Sequence, residues 1–237
     1  NPSTDGVPDL DKLPYVTETR IELLSTPCNA SLIKKEGVEF TLSTKRFPVV
    51  RTRLTVNGAW FRTILTNSTG QWYKPTIIVN NKELQYAGYY NDTDGTKYQS
   101  FNTNFTFDTD IPSLRLNISL SVQNMWFTSS RTLPRSGIPL ESVNVDGVAH
   151  PWTDLAAADP YLKQLIRTYS STAFEERRVP AESNFNLKAT KKLWNDRLGI
   201  ALYVNRLLSI SPDYYITGIL QRRYSSPYFG MELNLKL

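Results

Sequence analysis

The sequence has 237 residues but only one cysteine, one histidine and no long apolar run, and each scarcity excludes a class of protein. Cys28 has no second cysteine with which to form an internal disulfide or a thiolate metal site. His150 would have to support nucleophilic catalysis or a metal centre alone, so we predict no enzyme, no metal and no cofactor. The absence of any run of about 18 apolar residues excludes a bundle of membrane helices, although not a membrane β-barrel, whose strands are only half apolar.

The charge of the chain is low and scattered. The net charge is +5 at pH 7, and 21% of the residues are charged. No cluster of lysine and arginine alternates with aromatic residues as a nucleic-acid-binding groove requires, so we expect no nucleic-acid partner. The first twenty residues lack the charged and apolar regions of a signal peptide, and none is expected there.

The sequence does contain alternation of apolar and polar residues, repeated in seven runs. Successive side chains of a strand point to opposite faces, so this period of two predicts strands with one apolar and one polar face. The clearest internal run extends from Leu114 to Trp126, where leucine, isoleucine and valine alternate with arginine, asparagine and serine. The predicted strands occupy approximately residues 37–45, 49–65, 101–109, 114–126, 184–190, 197–205 and 227–237.

The connections between these runs alternate strictly between short and long. The short ones are residues 45–48, 110–113 and 191–197, and the long ones are about 67–97, 129–180 and 208–226, the second of which carries a short helix signal. Outer-membrane barrels have this alternation, with short periplasmic turns and long extracellular loops. The polar faces suit a water-filled lumen better than a buried core. We therefore predict an all-β antiparallel transmembrane β-barrel, with a soluble secreted β-sandwich for binding or adhesion as the alternative.

Seven strands do not make a complete barrel of the bacterial type. Such barrels have an even number of strands, and an open edge would leave backbone groups unpaired in lipid. We therefore expect residues 37–237 to supply about seven C-terminal strands of a larger barrel, with residues 1–36 as an extracellular loop segment.

Several stretches resemble one family. They are GVEFTLSTKRFPVVRTRLTVNGAWFRT, NNKELQYAGYYNDTDG, FNTNFTFDTDIP, YVNRLLSISPDYY and RRYSSPYFGMELNLKL. Together they resemble the C-terminal barrel segment of Bacteroidetes TonB-dependent receptors, the SusC-like transporters and their carboxypeptidase-regulatory-domain relatives. The resemblance covers nearly the whole chain, whereas the plug, the TonB box and about the first two-thirds of the barrel have no counterpart in this sequence.

The resemblance implies a barrel of 22 strands with an N-terminal plug in the bacterial outer membrane. It also implies active import of a bulky nutrient, a glycan or a peptide, driven by the TonB–ExbB–ExbD complex. The implied partners are the remaining part of the barrel with its plug, a surface lipoprotein of the SusD type and outer-membrane lipid.

The last run has five apolar residues on one face: Phe229, Met231, Leu233, Leu235 and Leu237. The resemblance implies that this run is the terminal β-signal that the barrel-assembly machinery reads, and the strand that closes the ring. The alternative is an ordinary amphipathic edge strand.

Aromatic residues form two further sets. Trp60 and Trp126 lie near the predicted outer ends of their strands and Trp194 lies in a short turn, so we predict an aromatic girdle at the two membrane interfaces. The second set, in the first long loop, consists of Trp72, Tyr73, Tyr86, Tyr89 and Tyr90. These residues are candidates for contact with a sugar, a peptide or a partner lipoprotein, or they pack the loop itself.

Charged residues on the polar faces are predicted to pair with one another rather than to select an anionic cargo. The basic members are Arg51, Arg53, Arg115, Lys188 and Lys236. The acidic members are Glu39, Asp108 and Glu232.

Overall fold

The structure is a computed structural model that describes residues 14–15, 17–27, 29, 31–91, 95–195 and 197–236. It is 56% strand and 6% helix, with antiparallel sheets, which confirms the prediction of an all-β antiparallel fold. The chain forms two compact units. The first comprises Asn1–Asn29, Thr69–Asp92 and Ser136–Thr168, and the second comprises Ala30–Ser68, Thr93–Arg135 and Tyr169–Leu237.

The described part of the chain contains sixteen strands, given in chain order. They are β1 (Ser31–Ser43), β2 (Thr52–Asn67), β3 (Gln71–Tyr73), β4 (Ile78–Val79), β5 (Lys82–Glu83), β6 (Ala87–Tyr90), β7 (Gly95–Ile111), β8 (Leu116–Thr132), β9 (Glu141–Val143), β10 (Ala149–Pro151), β11 (Arg177–Val179), β12 (Glu182–Leu193), β13 (Leu198–Ile210), β14 (Tyr214–Ile216), β15 (Ile219–Gln221) and β16 (Tyr228–Leu235). The helix α1 covers Asp154–Ala158, and 3-10 turns cover Pro112–Leu114 and Leu162–Leu165.

The second unit contains one large antiparallel sheet. Its strands lie in the order β1-β2-β7-β8-β12-β13-β16, and the short β11 also pairs with β8. All seven predicted strands are present, and each pairs with the next long strand along the chain. β14 and β15 form a separate hairpin in the same unit.

Several strands are longer than their alternation predicts. β1 begins at Ser31 rather than Gly37, β7 begins at Gly95, and β8 continues to Thr132. Trp60 and Trp126 were predicted to lie near the outer ends of their strands. This prediction is wrong, because β2 and β8 continue several residues beyond them. Beyond them the sequence is rich in threonine and serine on both faces, so the alternation stops while backbone pairing continues; threonine itself favours strands.

The register places like side chains in rows across the sheet. One apolar row consists of Leu42, Val56, Phe105, Val122, Phe185 and Leu208, directly opposite one another on successive strands. The neighbouring row, on the other face, consists of Thr41, Asn57, Asn104, Gln123, Asn184 and Ser209. The sheet thus has one apolar face and one polar face.

Almost none of the buried apolar side chains belong to this sheet. Among the described residues they include Leu84, Ala87, Tyr90, Pro139, Leu165 and Ala201, and of these only Ala201 lies in the sheet. On the apolar face, Val38 is 62% exposed, Leu202 58% and Leu233 61%. Within the described chain, no second layer of structure buries the large apolar side chains of this face.

The first unit has a small core of its own. β10, β9, β6 and β3 form its sheet, and β4 and β5 form a hairpin. The Tyr90 hydroxyl, on β6, donates a hydrogen bond to the Leu165 carbonyl, and both residues are buried. A short helix was expected in the second long loop around Leu162, Leu165 and Ile166, where the structure has the 3-10 turn Leu162–Leu165 instead. The helix α1 lies just before this turn and begins after Thr153, whose hydroxyl accepts a hydrogen bond from the Ala156 N–H.

Three glycines in the large sheet lie directly opposite aromatic residues. Gly37 faces Phe61, Gly58 faces Phe40, and Gly230 faces Tyr203. In each pair the ring covers the glycine so closely that a Cβ atom there would overlap it. The aromatic ring fills the space that a side chain would need, and the pair admits only one register.

We predict that Gly230→Ala lowers the free energy of unfolding by about 1–3 kcal/mol, because the new methyl group would displace the Tyr203 ring. Gly199→Ala is the matched control on β13, since a Cβ there would lie an ordinary 3.6 Å from the Asn234 Cβ. Denaturant unfolding of both variants measures the difference. Equal stability of the two variants would show that the Tyr203 ring does not fix this register.

Candidate functional site: the polar face of the sheet

The polar face is lined by amides whose orientation is set by hydroxyl groups on neighbouring strands. Thr41 Oγ1 donates to Asn57 Oδ1 at 2.9 Å, and Ser121 Oγ donates to Asn104 Oδ1 at 2.8 Å. Ser209 Oγ similarly donates to Asn184 Oδ1 at 2.8 Å. Each of these hydrogen bonds holds an amide against a neighbouring strand, so the face presents an ordered array of amides rather than freely rotating ones.

Several hollows lie along this face, and two of them are lined mainly by amides and hydroxyls. The larger, of about 580 Å³, is lined mainly by Glu39, Thr41, Asn57, Asn102, Asn104, Gln123, Met125, Glu182 and Asn184. The smaller, of about 400 Å³, is lined by Ser119, Ser121, Gln123, Asn186, Leu187, Lys188, Tyr203, Asn205, Tyr228 and Glu232. Amides and hydroxyls of this kind offer both donors and acceptors to a polar, largely uncharged ligand.

Part of the predicted charge pairing on this face is confirmed. Arg53 lies 3.9 Å from Asp108, and Lys188 lies 2.8 Å from Glu232. Glu39 forms no ion pair within the part of the chain that is described. Both confirmed pairs are substantially exposed, so they set the local charge more than they stabilise the sheet.

Of the other basic residues of that prediction, Arg51 and Arg115 lie in turns, where the alternation of faces no longer applies, and Lys236 follows the end of β16. Arg51 and Arg115 have positive φ angles of 51° and 48°. Arg115 Nη1 donates to Asn195 Oδ1 at 3.4 Å, and the Lys236 N–H donates to the Arg197 carbonyl. Arg51, Arg115 and Lys236 were predicted to pair with carboxylates of the polar face, and none of them forms such a pair among the described residues. At the end of the sheet with the short turns, Arg46 pairs with Asp110 instead, at 3.3 Å.

The three tryptophans of the predicted girdle lie at two levels along the strands, with Trp60 and Trp126 beside Phe101 and Trp194 in the turn after β12. Trp60 is directly opposite Phe101, and Trp126 stacks on Phe101 with ring centroids 6.2 Å apart. Trp126 occupies a bulge in β8, and its Nε1 donates to Thr103 Oγ1 at 2.9 Å. Trp194 lies in the turn after β12 and is 69% exposed. Their role at a membrane interface stays a prediction.

The loop aromatics divide into core and surface residues. Tyr90 is only 5% exposed, and the Arg167 guanidinium lies 3.8 Å from its ring centroid and 4.3 Å from that of Tyr73. Trp72 and Tyr89 contact each other, with ring centroids 5.2 Å apart. Tyr86 is half-buried and takes part in neither arrangement. A ligand platform would therefore rest on Trp72, Tyr73 and Tyr89, and this role is still a prediction.

The predicted assembly strand is β16. Phe229, Met231, Leu233 and Leu235 all lie on the apolar face and are exposed, while Leu237 is outside the described residues, as is Cys28. β16 pairs with β13 on one edge, and no strand pairs with its other edge among the residues described. Its function as a signal or closing strand is a prediction that the geometry leaves in place.

His150 lies beside a carboxylate on an exposed hairpin. Its Nε2 is 3.6 Å from Asp146 Oδ2. The pKa of Asp146 is lowered mainly by a hydrogen bond from the Val148 N–H, and the His150 side chain acts in the same direction.

Elsewhere, a hydrogen bond from Ser129 is the main cause of the lowered pKa of Glu176. No group of three histidine, cysteine, aspartate or glutamate side chains suited to a metal ion occurs in the described ranges.

One contact that the sequence did not reveal joins the two long connections near β12 and β16. Arg223 donates to Glu182 Oε2 at 2.9 Å and to the Pro180 and Ala181 carbonyls. These residues are 41 or more positions apart, in segments without periodicity, so no local pattern pointed to them. Arg223 thereby fixes the entry to β12 beside the larger hollow.

Comparison with known proteins found no matching family model, no matching curated protein and no matching solved structure. No helix in the described part of the chain is long and apolar enough to cross a membrane.

We predict that Arg223→Met increases amide hydrogen exchange in residues 208–226 and lowers the free energy of unfolding by about 1–3 kcal/mol. The substitution removes a largely buried guanidinium, so Glu182 and the Pro180 and Ala181 carbonyls lose their donor. Arg222→Met is the matched control. The Arg222–Asp213 pair is more than half exposed and is expected to contribute less than about 1 kcal/mol. The assignment would be wrong if the two variants exchanged at the same rate.

Proposed function

We propose that this chain forms part of the wall of an outer-membrane TonB-dependent transporter that imports a bulky nutrient, a glycan or a peptide. The observation that carries the proposal is the large antiparallel sheet, whose apolar face is uncovered among the described residues and whose other face is polar. In this proposal the apolar face contacts lipid, and the polar face lines the passage.

The extent of the apolar face agrees with the thickness of a bilayer. On β8 this face carries Leu116, Ile118, Leu120, Val122 and Trp126, interrupted by Asn124, over about 33 Å along an extended strand. A strand tilted by about 40°, as in outer-membrane barrels, would cover about 25 Å of membrane thickness, the height of the apolar band in such proteins. Exposed apolar patches of more than a few hundred Å² are rare on soluble monomers, so a face of this extent needs a cover.

The open edges of the sheet support a larger assembly. β1 and β16 each pair on only one side within the described residues. In lipid, an unpaired edge would leave backbone N–H and C=O groups unsatisfied at several kcal/mol each. The proposed wall therefore needs further strands on both sides, and β16 would be one of the strands that meets them.

The polar face and the first unit suit the two other tasks of such a transporter. The amide-lined hollows would lie along the passage, where they offer hydrogen bonds to a glycan or a peptide. Trp72, Tyr73 and Tyr89 would face a ligand or a SusD-like lipoprotein on the cell surface. Coupling to TonB–ExbB–ExbD would depend on a plug supplied by the rest of the transporter.

A β-sandwich needs a second sheet that buries the apolar face of the first. Among the described residues, the small sheet β10-β9-β6-β3 belongs to the other compact unit, and the large apolar side chains of the main sheet are not buried. This observation favours the membrane wall over the soluble binding module.

We predict that the protein stays folded only in detergent and that native mass spectrometry of a mild-detergent extract finds it bound to the polypeptide that supplies the other strands. Denaturing mass spectrometry of the same extract identifies that component. A chain that is monomeric, folded and unaffected by removal of detergent would contradict the proposal and support the sandwich.

A further inference from the structure

The apolar face changes character abruptly beyond one row of aromatic residues. Trp60, Phe101 and Phe127 lie directly opposite one another on β2, β7 and β8. The next row on the same face, towards the long connections, contains Glu36, Arg62, Gln99, Ser129 and Arg178. The row after that contains Lys34, Ile64, Lys97 and Arg131.

These two rows carry more positive than negative charge. Their basic members are Lys34, Arg62, Lys97, Arg131 and Arg178, and the carboxylates nearby are Glu36 and Glu176. Lys34 and Arg62 both form ion pairs with Glu36. Glu176 accepts a hydrogen bond from Gln99 at 3.3 Å, and its carboxylate is influenced by Lys97 and Arg131 without forming an ion pair with either.

Three of the basic residues thus remain without an ion-pair partner in the described part of the chain: Lys97, Arg131 and Arg178. Lys97 and Arg131 are directly opposite each other, and Arg178 is two residues nearer to the aromatic row. Arg131 and Arg178 are exposed. The Arg178 guanidinium lies 4.7 Å from the Phe127 ring centroid, so its plane is supported by the ring while its N–H groups stay available.

We propose that Lys97, Arg131 and Arg178 bind the phosphate groups of an anionic membrane lipid. This inference rests on the proposed function, because it places the apolar face in a bilayer. Aromatic rings mark the level of the headgroups, and the three basic side chains lie just beyond that level on the lipid-facing side. Arginine matches phosphate with two parallel hydrogen bonds, and lysine adds a point charge.

The adjacent residue Arg177 provides a matched control. It lies opposite Ser130 and therefore on the polar face, whereas Arg178 lies opposite Ser129 on the apolar face. Both are exposed arginines on the same short strand. A simple effect of net charge would appear with either residue, but of these two arginines only Arg178 is expected to contact a lipid headgroup.

The test uses the protein extracted with its accompanying chains in mild detergent and incubated with equal amounts of phosphatidylcholine and lipid A. Native mass spectrometry counts the lipid molecules of each kind that remain bound. We expect the double variant R131Q/R178Q to retain at least fivefold less lipid A than the unaltered protein, with phosphatidylcholine unchanged. We expect R177Q to retain as much lipid A as the unaltered protein.

The other outcomes separate the two proposals. If the protein requires detergent but R131Q/R178Q retains as much lipid A as R177Q, the lipid site is wrong and the membrane wall stands. If inorganic phosphate removes the bound lipid A as effectively as unlabelled lipid A does, the residues bind free phosphate and the lipid assignment is wrong. If the protein is folded and soluble without detergent, both proposals fail.

Discussion

Register between neighbouring strands is the constraint on which this structure depends. The side-chain period of a strand is two, so a slip of one residue would move every apolar side chain of that strand to the polar face. The opposed pairs Gly58–Phe40 and Gly230–Tyr203 resist such a slip, because each ring occupies the space above one particular glycine. From this register follow the apolar rows, the ordered amides and the position of the basic residues beyond the aromatic row.

The fold was largely predictable from the sequence because its strands are long and amphipathic. Each of the seven predicted strands overlaps a strand of the main sheet, and the long connections lie where the alternation is interrupted. The strand ends were less predictable, since pairing on β8 continues to Thr132 after alternation has stopped. The strands of the first unit were missed because two to four residues are too few to show a period.

The candidate site was predictable only where it lies within strands. Alternation placed Asn57, Asn104 and Lys188 on the polar face, and it predicted pairing among the charged residues of that face, of which Lys188–Glu232 is one observed pair. It could not anticipate the Arg223–Glu182 contact, which joins aperiodic segments, nor the position of Arg115, whose positive φ lies in a turn. Side chains outside regular elements are positioned by tertiary contacts that no local pattern encodes.

The two faces of the sheet thus have distinct roles in the proposed transporter. The apolar face has few internal partners and depends on its surroundings for a cover. The polar face satisfies many of its own groups by hydroxyl–amide hydrogen bonds and ion pairs, so it can meet water without a cover. In the proposed bilayer setting, this asymmetry would let a sheet of this size do without a buried core of its own.

The central claim is that lipid covers the apolar face, and accessibility along β8 tests it most directly. In a protein with Cys28 replaced by serine, residues 117 to 122 are replaced by cysteine one at a time, and each cysteine carries a spin label. The reconstituted protein is then exposed to oxygen, which partitions into lipid, and to a nickel complex, which stays in water. The account predicts that labels at 118, 120 and 122 are reached by oxygen and labels at 117, 119 and 121 by nickel. Labels at 118, 120 and 122 that neither reagent reaches would place these residues in a protein core and contradict it.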